Sequence, residues 1–309
     1  MTKAFDAQDS VENRPTKRPR PLLSRFRGES AATSIVERST LAFKTFRYVL
    51  ILLLCAFALL PVYAAFVTSL TTYDNIGNGS LFPTDWAWDN YVEVWRQIPL
   101  AKYLGATAIY SVTSALACVV LGVLAAFSLS RMGFAGKRVF MYALLVSQVI
   151  PLIVIAVPLF TLVRAAGLFD TFTGISLVVI GVHLAFPIMF LKGYLDGIPK
   201  DMEEAAQVDG CNQVQALFRI VLPSIKPAIY TTLALVFFTS WQMFLIPLIL
   251  STSDDKAPVT VGVFRLLSDS YTPWHLVMAG AIIASIPPVA VFLMAQRQLI
   301  GGLTAGAVK

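Results

Sequence analysis

The sequence predicts an all-α polytopic membrane protein with six transmembrane helices, and three observations carry that prediction. Only 14% of its 309 residues are charged and 57% are hydrophobic, whereas a soluble globular domain carries about 25% charged residues. The apolar residues are also gathered rather than spread. Six windows free of Asp, Glu, Lys and Arg, at 48–73, 103–130, 139–163, 171–191, 227–253 and 270–296, run from 21 to 28 residues, and no other such window exceeds 11. Finally, Lys and Arg collect on alternate sides of those windows, as membrane topology requires. Length alone would suggest about two domains of roughly 150 residues, but the composition overrides it.

A helix needs about 20 apolar residues to cross a hydrocarbon core of about 30 Å, so each window is long enough for one crossing. Barrel strands are about 10 residues long and alternate in polarity, which excludes a barrel here. The first window begins after a long polar arm and lacks a short apolar region ending in a small-residue cleavage site, so it reads as an uncleaved helix. The second is rich in Gly, Ala and Ser, including Gly105, Ser111, Ser114 and Gly122, residues that let helix backbones approach closely in lipid. Pro61, Pro151, Pro158, Pro187, Pro247, Pro287 and Pro288 fall in the remaining spans and the first; each removes a backbone donor and favours a kink. Cys55, Cys118 and Cys211 show no ligand spacing and read as small apolar fillers.

Six spans put both termini on one side. Residues 1–47, 131–138, 192–226 and 297–309 carry 19 of the 24 Lys and Arg, leaving Arg96, Lys102, Arg164, Lys256 and Arg265 opposite. The positive-inside rule predicts that the richer side is cytoplasmic. The net charge of +6 is then a topology signal that needs no nucleic-acid partner, and the run RPTKRPRPLLSRFR (14–27) reads as a disordered cytoplasmic arm drawn to anionic membrane lipid. Two loops on the outer side, 70–102 with its aromatic FPTDWAWDNYVEVW and 251–276, are too small to be separate domains.

The windows hold no Asp, Glu, Lys or Arg, which argues against the intramembrane charge relays of ion-driven carriers. His183 is the one ionisable group deep in a span, and a hydrogen-bonded packing role suits it better than a proton relay. Gln148, Ser240, Trp241 and Gln242 are the candidates for a solute path. Trp241 could stack on a sugar ring beside the Gln242 amide; equally, all four could bond and pack between helices.

One polar element stands between spans four and five: DGIPKDMEEAAQVDGCNQVQALFRIVLPSIKPA, 196–228. Asp201 with Glu204 three residues on fits a capping box. Gly210 supplies the left-handed residue that ends a first helix. Asn212 with Gln215 starts a second, whose Val214, Leu217, Phe218 and Val221 form one apolar face, and Pro223 ends it. The element is therefore helix–Gly–helix. Its few cations, Lys200, Arg219 and Lys226, are opposed by Asp201, Glu203, Glu204 and Asp209, a poor balance for phosphate contact. A protein partner fits better than DNA.

Glu204-Ala205-Ala206, with Gly210, Ile220 and Leu222-Pro223 at their spacings, resembles the EAA loop that marks the membrane permease subunits of ATP-binding-cassette importers. IPKDMEEAAQVDG, FFTSWQMFLIPLIL (237–250) and the closing QRQLIGGLTAGAVK (296–309) are similar to the carbohydrate, maltose-type branch of that family. The resemblance covers about residues 45–309 as one permease domain and leaves 1–44 as the arm. It implies a type I importer fold in a prokaryotic inner membrane, paired with a second permease subunit, two ATPase subunits, a solute-binding protein and a carbohydrate substrate. It further implies that Glu203, Glu204, Ala205, Ala206, Asp209, Gly210, Phe218 and Pro223 serve ATPase coupling, with the 214–221 face held against the bundle. The chain has no GxxxxGK[ST] run to cradle phosphates, so ATP and Mg belong to the partner ATPase, and no cofactor, metal or catalytic residue is expected here. The alternative is an ion-coupled secondary carrier. No paired carboxylates or nucleophile–base pair point to a membrane enzyme.

Overall fold

The computed structural model describes residues 41–77, 82–83, 85–267 and 272–305; most of the expected arm, residues 1–40, lies outside them. The described residues form helices and no strands. The chain divides into two units at Leu60/Pro61. Residues 41–60 of the first belong to helix α1, Leu41–Ser69, and their described side chains are exposed Leu, Phe, Ala and Tyr for the most part, the surface a lipid environment calls for.

In the second unit, part of the 70–102 loop is helical, as α2 (Asn90–Gln97). Its first residue, Asn90, ties it back by donating to the carbonyls of Ser69 and Thr71 at 2.9 and 3.1 Å. The central strut is α3, Leu100–Arg131. Its buried residues recur in pairs, Ala106/Thr107, Tyr110/Ser111, Ser114/Ala115, Cys118/Val119, Gly122/Val123 and Ala126/Phe127, so Ser111, Ser114 and Gly122 of the predicted small residues face neighbouring helices, whereas Gly105 is exposed. At Gly122 a β-carbon would lie 3.0 Å from Pro187 Cβ; the helices meet at the closest distance that glycine allows.

Three further spans are bent rather than straight. Helices α4 (Lys137–Val149) and α5 (Leu152–Ala165) meet at 105°, because Pro151 holds Ile150 in an extended conformation (φ −70°, ψ 119°). Helices α6 (Phe172–His183) and α7 (Ala185–Asp196) bend by 44°, where Pro187 cannot donate to the His183 carbonyl. The polar element then contributes α8 (Asp201–Val208), α9 (Gln213–Ala216), a π-helical turn (Leu217–Val221) and α10 (Leu222–Ser224). From α9–α10 the chain turns 77° into α11, Lys226–Trp241. At 16 residues α11 is about 24 Å long, short of a full crossing, and the rest of the predicted fifth window holds a break and then α12, Leu245–Leu250. A short α13 (Val259–Phe264) precedes the long α14, Trp274–Ala305. By length and apolar composition α1, α3 and α14 can each cross alone, and the bent pairs bring the number of spans up to six. Helix α3 packs against α6, α7 and α11, and α11 packs in turn on α14.

Two prolines are answered by side chains from elsewhere. Pro247 frees the Met243 carbonyl, which accepts from Thr260 Oγ1 at 2.8 Å. Pro288 frees that of Ala284, which accepts from Trp241 Nε1 at 3.1 Å. Freed carbonyls in an apolar medium must find such donors, and α14 accordingly runs through Pro287 and Pro288 as one helix.

Candidate functional site

The 196–228 element is built by local signals. Helix α8 closes in a Schellman motif: Gly210 (φ +91°) donates to the Gln207 carbonyl at 3.0 Å and Cys211 to that of Ala206 at 2.9 Å. Asn212 and Gln215 form the predicted capping box, with reciprocal bonds of 2.8 and 2.9 Å. Two other expectations are corrected. Asp201 does not cap; Lys200 holds that position in helical conformation, its carbonyl already accepting from Glu203 and Glu204. Asp201, Glu203 and Glu204 instead fill the first turn, at the positive end of the helix dipole. Nor does Pro223 end the second helix. It sits in the first turn of α10, and the break comes at Ile225 (φ −98°, ψ 10°), just before a helix whose Pro227 cannot donate backwards.

The predicted apolar face is split. Leu217 and Val221 are 4% and 1% exposed and pack with Ile225 among Val119, Val123, Ala126 and Phe127 of α3 and Leu191 and Leu195 of α7. Val214 and Phe218 are 63% and 60% exposed. Leu217 and Val221 lie four residues apart and share one face, while Val214 and Phe218 share a neighbouring one about 100° away; within the same stretch a π turn has Leu222 donating to Leu217, five residues back. Met202, Val208, Val214 and Phe218 are thus exposed hydrophobic groups on a polar element. Glu204, Ala205, Asp209, Gly210 and Pro223 are exposed as well, while Ala206 and Glu203 are buried.

Glu203 meets a residue that the sequence did not single out. Its Oε1 accepts from Arg131 Nε, the last residue of α3, at 2.7 Å, with both side chains only 8% exposed. A lone arginine closing a long uncharged helix was the available signal. Beside it, Asp196 accepts from Ser130 at 2.7 Å and pairs with Lys192 at 2.5 Å. Burial pushes the Asp196 carboxyl up, but these partners outweigh it and hold it below the usual range.

The four solute-path candidates do not converge. Trp241 and Gln242 line one cavity of about 630 Å³ with Phe238, Phe244, Thr260 and Ser285, among others, between α11, α13 and α14. Gln148 lines another, of about 560 Å³, against α5 and α6. Ser240 is buried and its hydroxyl has no partner among the described residues. The Trp241 N–H is committed to Ala284, so only its ring face is available to a ligand. His183 Nδ1 donates to its own helix at Val179, at 2.8 Å, consistent with a packing role.

At the far end of the bundle, Asp170 (φ +54°) clamps the 251–256 segment. Its Oδ1 accepts from the backbone of Thr252 and Ser253 at 3.0 and 3.2 Å, its Oδ2 from the Ser253 hydroxyl, and Lys256 lies 3.9 Å away. Burial alone would raise its pKa, but the Ser253 and Thr252 bonds hold it below 3.8, its ordinary value. Tyr103 donates to Asp254 at 3.0 Å, and Arg265 reaches the same carboxylate at 2.6 Å. Tyr110 donates to the Lys256 carbonyl at 2.8 Å. As single residues far apart in the sequence, these carried no motif.

Comparison with known proteins places this architecture. Residues 118–304 match the family described as "Binding-protein-dependent transport system inner membrane component". The chain is 35% identical to the trehalose transport system permease protein of Mycobacterium tuberculosis, over 86% of this chain and 97% of that one. It is 28% identical to a diacetylchitobiose uptake system permease protein of Streptomyces coelicolor, over 81% and 91%. Among solved structures, a chain of a bacterial ABC transporter involved in import of the acidic polysaccharide alginate superposes with a TM-score of 0.70 at 25% identity, covering 84% of this chain and 98% of that one.

Proposed function

This chain belongs to the family of binding-protein-dependent transport system inner membrane components, and from that premise we propose that it is one of two permease subunits of an ATP-driven sugar importer. It forms half of the translocation path and is worked by separate ATPase subunits, which hold the ATP and Mg. The solute is a di- or oligosaccharide or a related carbohydrate, delivered by an extracytoplasmic binding protein; the substrates named for the trehalose and diacetylchitobiose relatives support that class. The lysine- and arginine-rich side, with both termini, is cytoplasmic.

The observation that carries the coupling role is the 196–228 element itself. It is closed at both turns by its own hydrogen bonds, seated on the bundle by Leu217 and Val221, and left with Val208, Val214 and Phe218 uncovered beside exposed Glu204 and Asp209. Exposed apolar side chains on an element that also exposes charged ones suit a protein docking site. On this reading Glu204, Ala205, Asp209, Gly210, Phe218 and Pro223 meet or shape the ATPase contact, and closure of the ATPase dimer drags the element and rocks the bundle. Trp241 and Gln242 face the solute path.

Reconstitution tests it. The chain, its companion permease and the ATPase in proteoliposomes, with the binding protein added, should take up labelled disaccharide only with ATP and should ignore a protonophore. Uptake that needs no ATPase and collapses with the protonophore would establish the ion-coupled carrier instead.

A further inference from the structure

We propose that Arg131 and Glu203 are positioning residues: their buried ion pair is the link through which movement of α8 reaches the membrane strut α3. The proposal rests on the coupling role given to the 196–228 element and adds the path by which force leaves it. Helix α8 buries only Glu203 and Ala206 of its eight residues. It has no apolar stripe of its own, unlike the later half of the element, which Leu217 and Val221 plug into the core. What fastens α8 to the membrane helices is a guanidinium with each of its nitrogens engaged: Nε on Glu203 at 2.7 Å, one terminal nitrogen on the Ile198 carbonyl at 3.1 Å, the other on Ser130 Oγ at 3.2 Å. The same serine bonds Asp196 at the end of α7. Arg131 therefore joins α8, the 197–200 linker and the ends of α3 and α7 at one point.

Stability alone is a poor reason for such a pair, since apolar residues of similar volume commonly replace a buried ion pair without loss. Direction is a better one. The planar, forked guanidinium fixes the angle between its partners as well as their distance, so a pull on α8 turns α3 rather than sliding past it. Glu203, although adjacent to Glu204, then faces inward to the bundle and leaves the ATPase to its neighbour.

The test uses the full complex with binding protein in proteoliposomes and reads sugar transported per ATP hydrolysed, normalised to assembled complex. Glu203→Gln, which can still accept one bond from Arg131, should lower that ratio at least fivefold in whatever amount of complex assembles. Arg131→Met with Glu203→Leu removes both charges and leaves none stranded; it should keep the thermal midpoint of the complex while the ratio stays low. A wild-type ratio in this double variant would show that packing suffices and would overturn the proposal. So would a Glu203→Gln complex that is scarcer but fully coupled. A wild-type chain that retains no ATPase would overturn the coupling role beneath it.

Discussion

A methyl group at Gly262 is the sharpest probe of how tightly α13 is built into the bundle. Gly262 lies in α13, and a β-carbon placed there would fall 2.0 Å from Tyr103 Cδ2 and 2.4 Å from Cε2. Ordinary carbon–carbon contact is about 3.5–4.0 Å, so the ring would have to retreat by about 1.5 Å. It cannot do so cheaply, because Tyr103 is 2% exposed and its hydroxyl is held by Asp254. Overpacking costs about 1–3 kcal/mol, and this site belongs at the upper end, about 3 kcal/mol. At roughly 2–4 °C per kcal/mol for a domain of this size, Gly262→Ala should lower the thermal midpoint by about 6–12 °C, read by fluorescence-detected size exclusion after heating in detergent. Tyr103→Ala alone should cost about 3–5 kcal/mol through the cavity it leaves. In that background Gly262→Ala should change sign: the methyl enters vacated space, and alanine is the better helix former by about 1 kcal/mol. The coupling energy is then about 4 kcal/mol. Additive single variants, or a Gly262→Ala protein within about 2 °C of wild type, would refute the reasoning.

Trp241→Phe keeps an aromatic face but strands the Ala284 carbonyl, at a cost of about 1–3 kcal/mol; adding Pro288→Ala restores a backbone donor and should recover the thermal midpoint, and no recovery would mean that the indole bond is not what matters. Phe218→Asp alters a residue 60% exposed, so the isolated fold should change by less than about 0.5 kcal/mol while ATPase co-purification is lost; Leu217→Ala, buried one position away, should cost the fold about 2–5 kcal/mol. Asp170 has a lowered pKa, so the stability it lends the 251–256 segment is fully present above pH 3.8 and is lost as pH falls through its lower folded value. Protease cleavage within 251–256 should therefore rise only below pH 3.8, and Asp170→Asn should remove that dependence.

What could be read from the sequence was local. Charge-free windows mark the spans because a bilayer tolerates nothing else over that length. Gly210, Asn212 and Gln215 gave the turn because caps are settled within a few residues. Asp201 misled because a helix start depends on the backbone before it, here Lys200 already in helical conformation. The positions of Pro187, Pro247 and Pro288 announced broken backbone bonds, but not their donors: Trp241 lies 43 residues from Ala284 and Arg131 lies 72 from Glu203. Phe218 was assigned to the wrong side for a subtler reason. Its letters fit an i, i+3, i+4, i+7 pattern that spans about 100° or more of the helix surface, and only tertiary packing decides which part of that arc is covered.

The π turn at Leu217–Val221 makes phase, as much as composition, a determinant of partner choice. One extra residue turns a helix by about 100°, so the aim of Val214 relative to the helix that follows the turn depends on a count. A deletion of a single residue within 217–221 would leave the element's chemistry intact and rotate its contact patch into the bundle. Relatives with the same letters but a regular helix here would present a different surface to the same kind of ATPase, and exchange of subunits between such transporters should fail at this turn before it fails anywhere in the membrane.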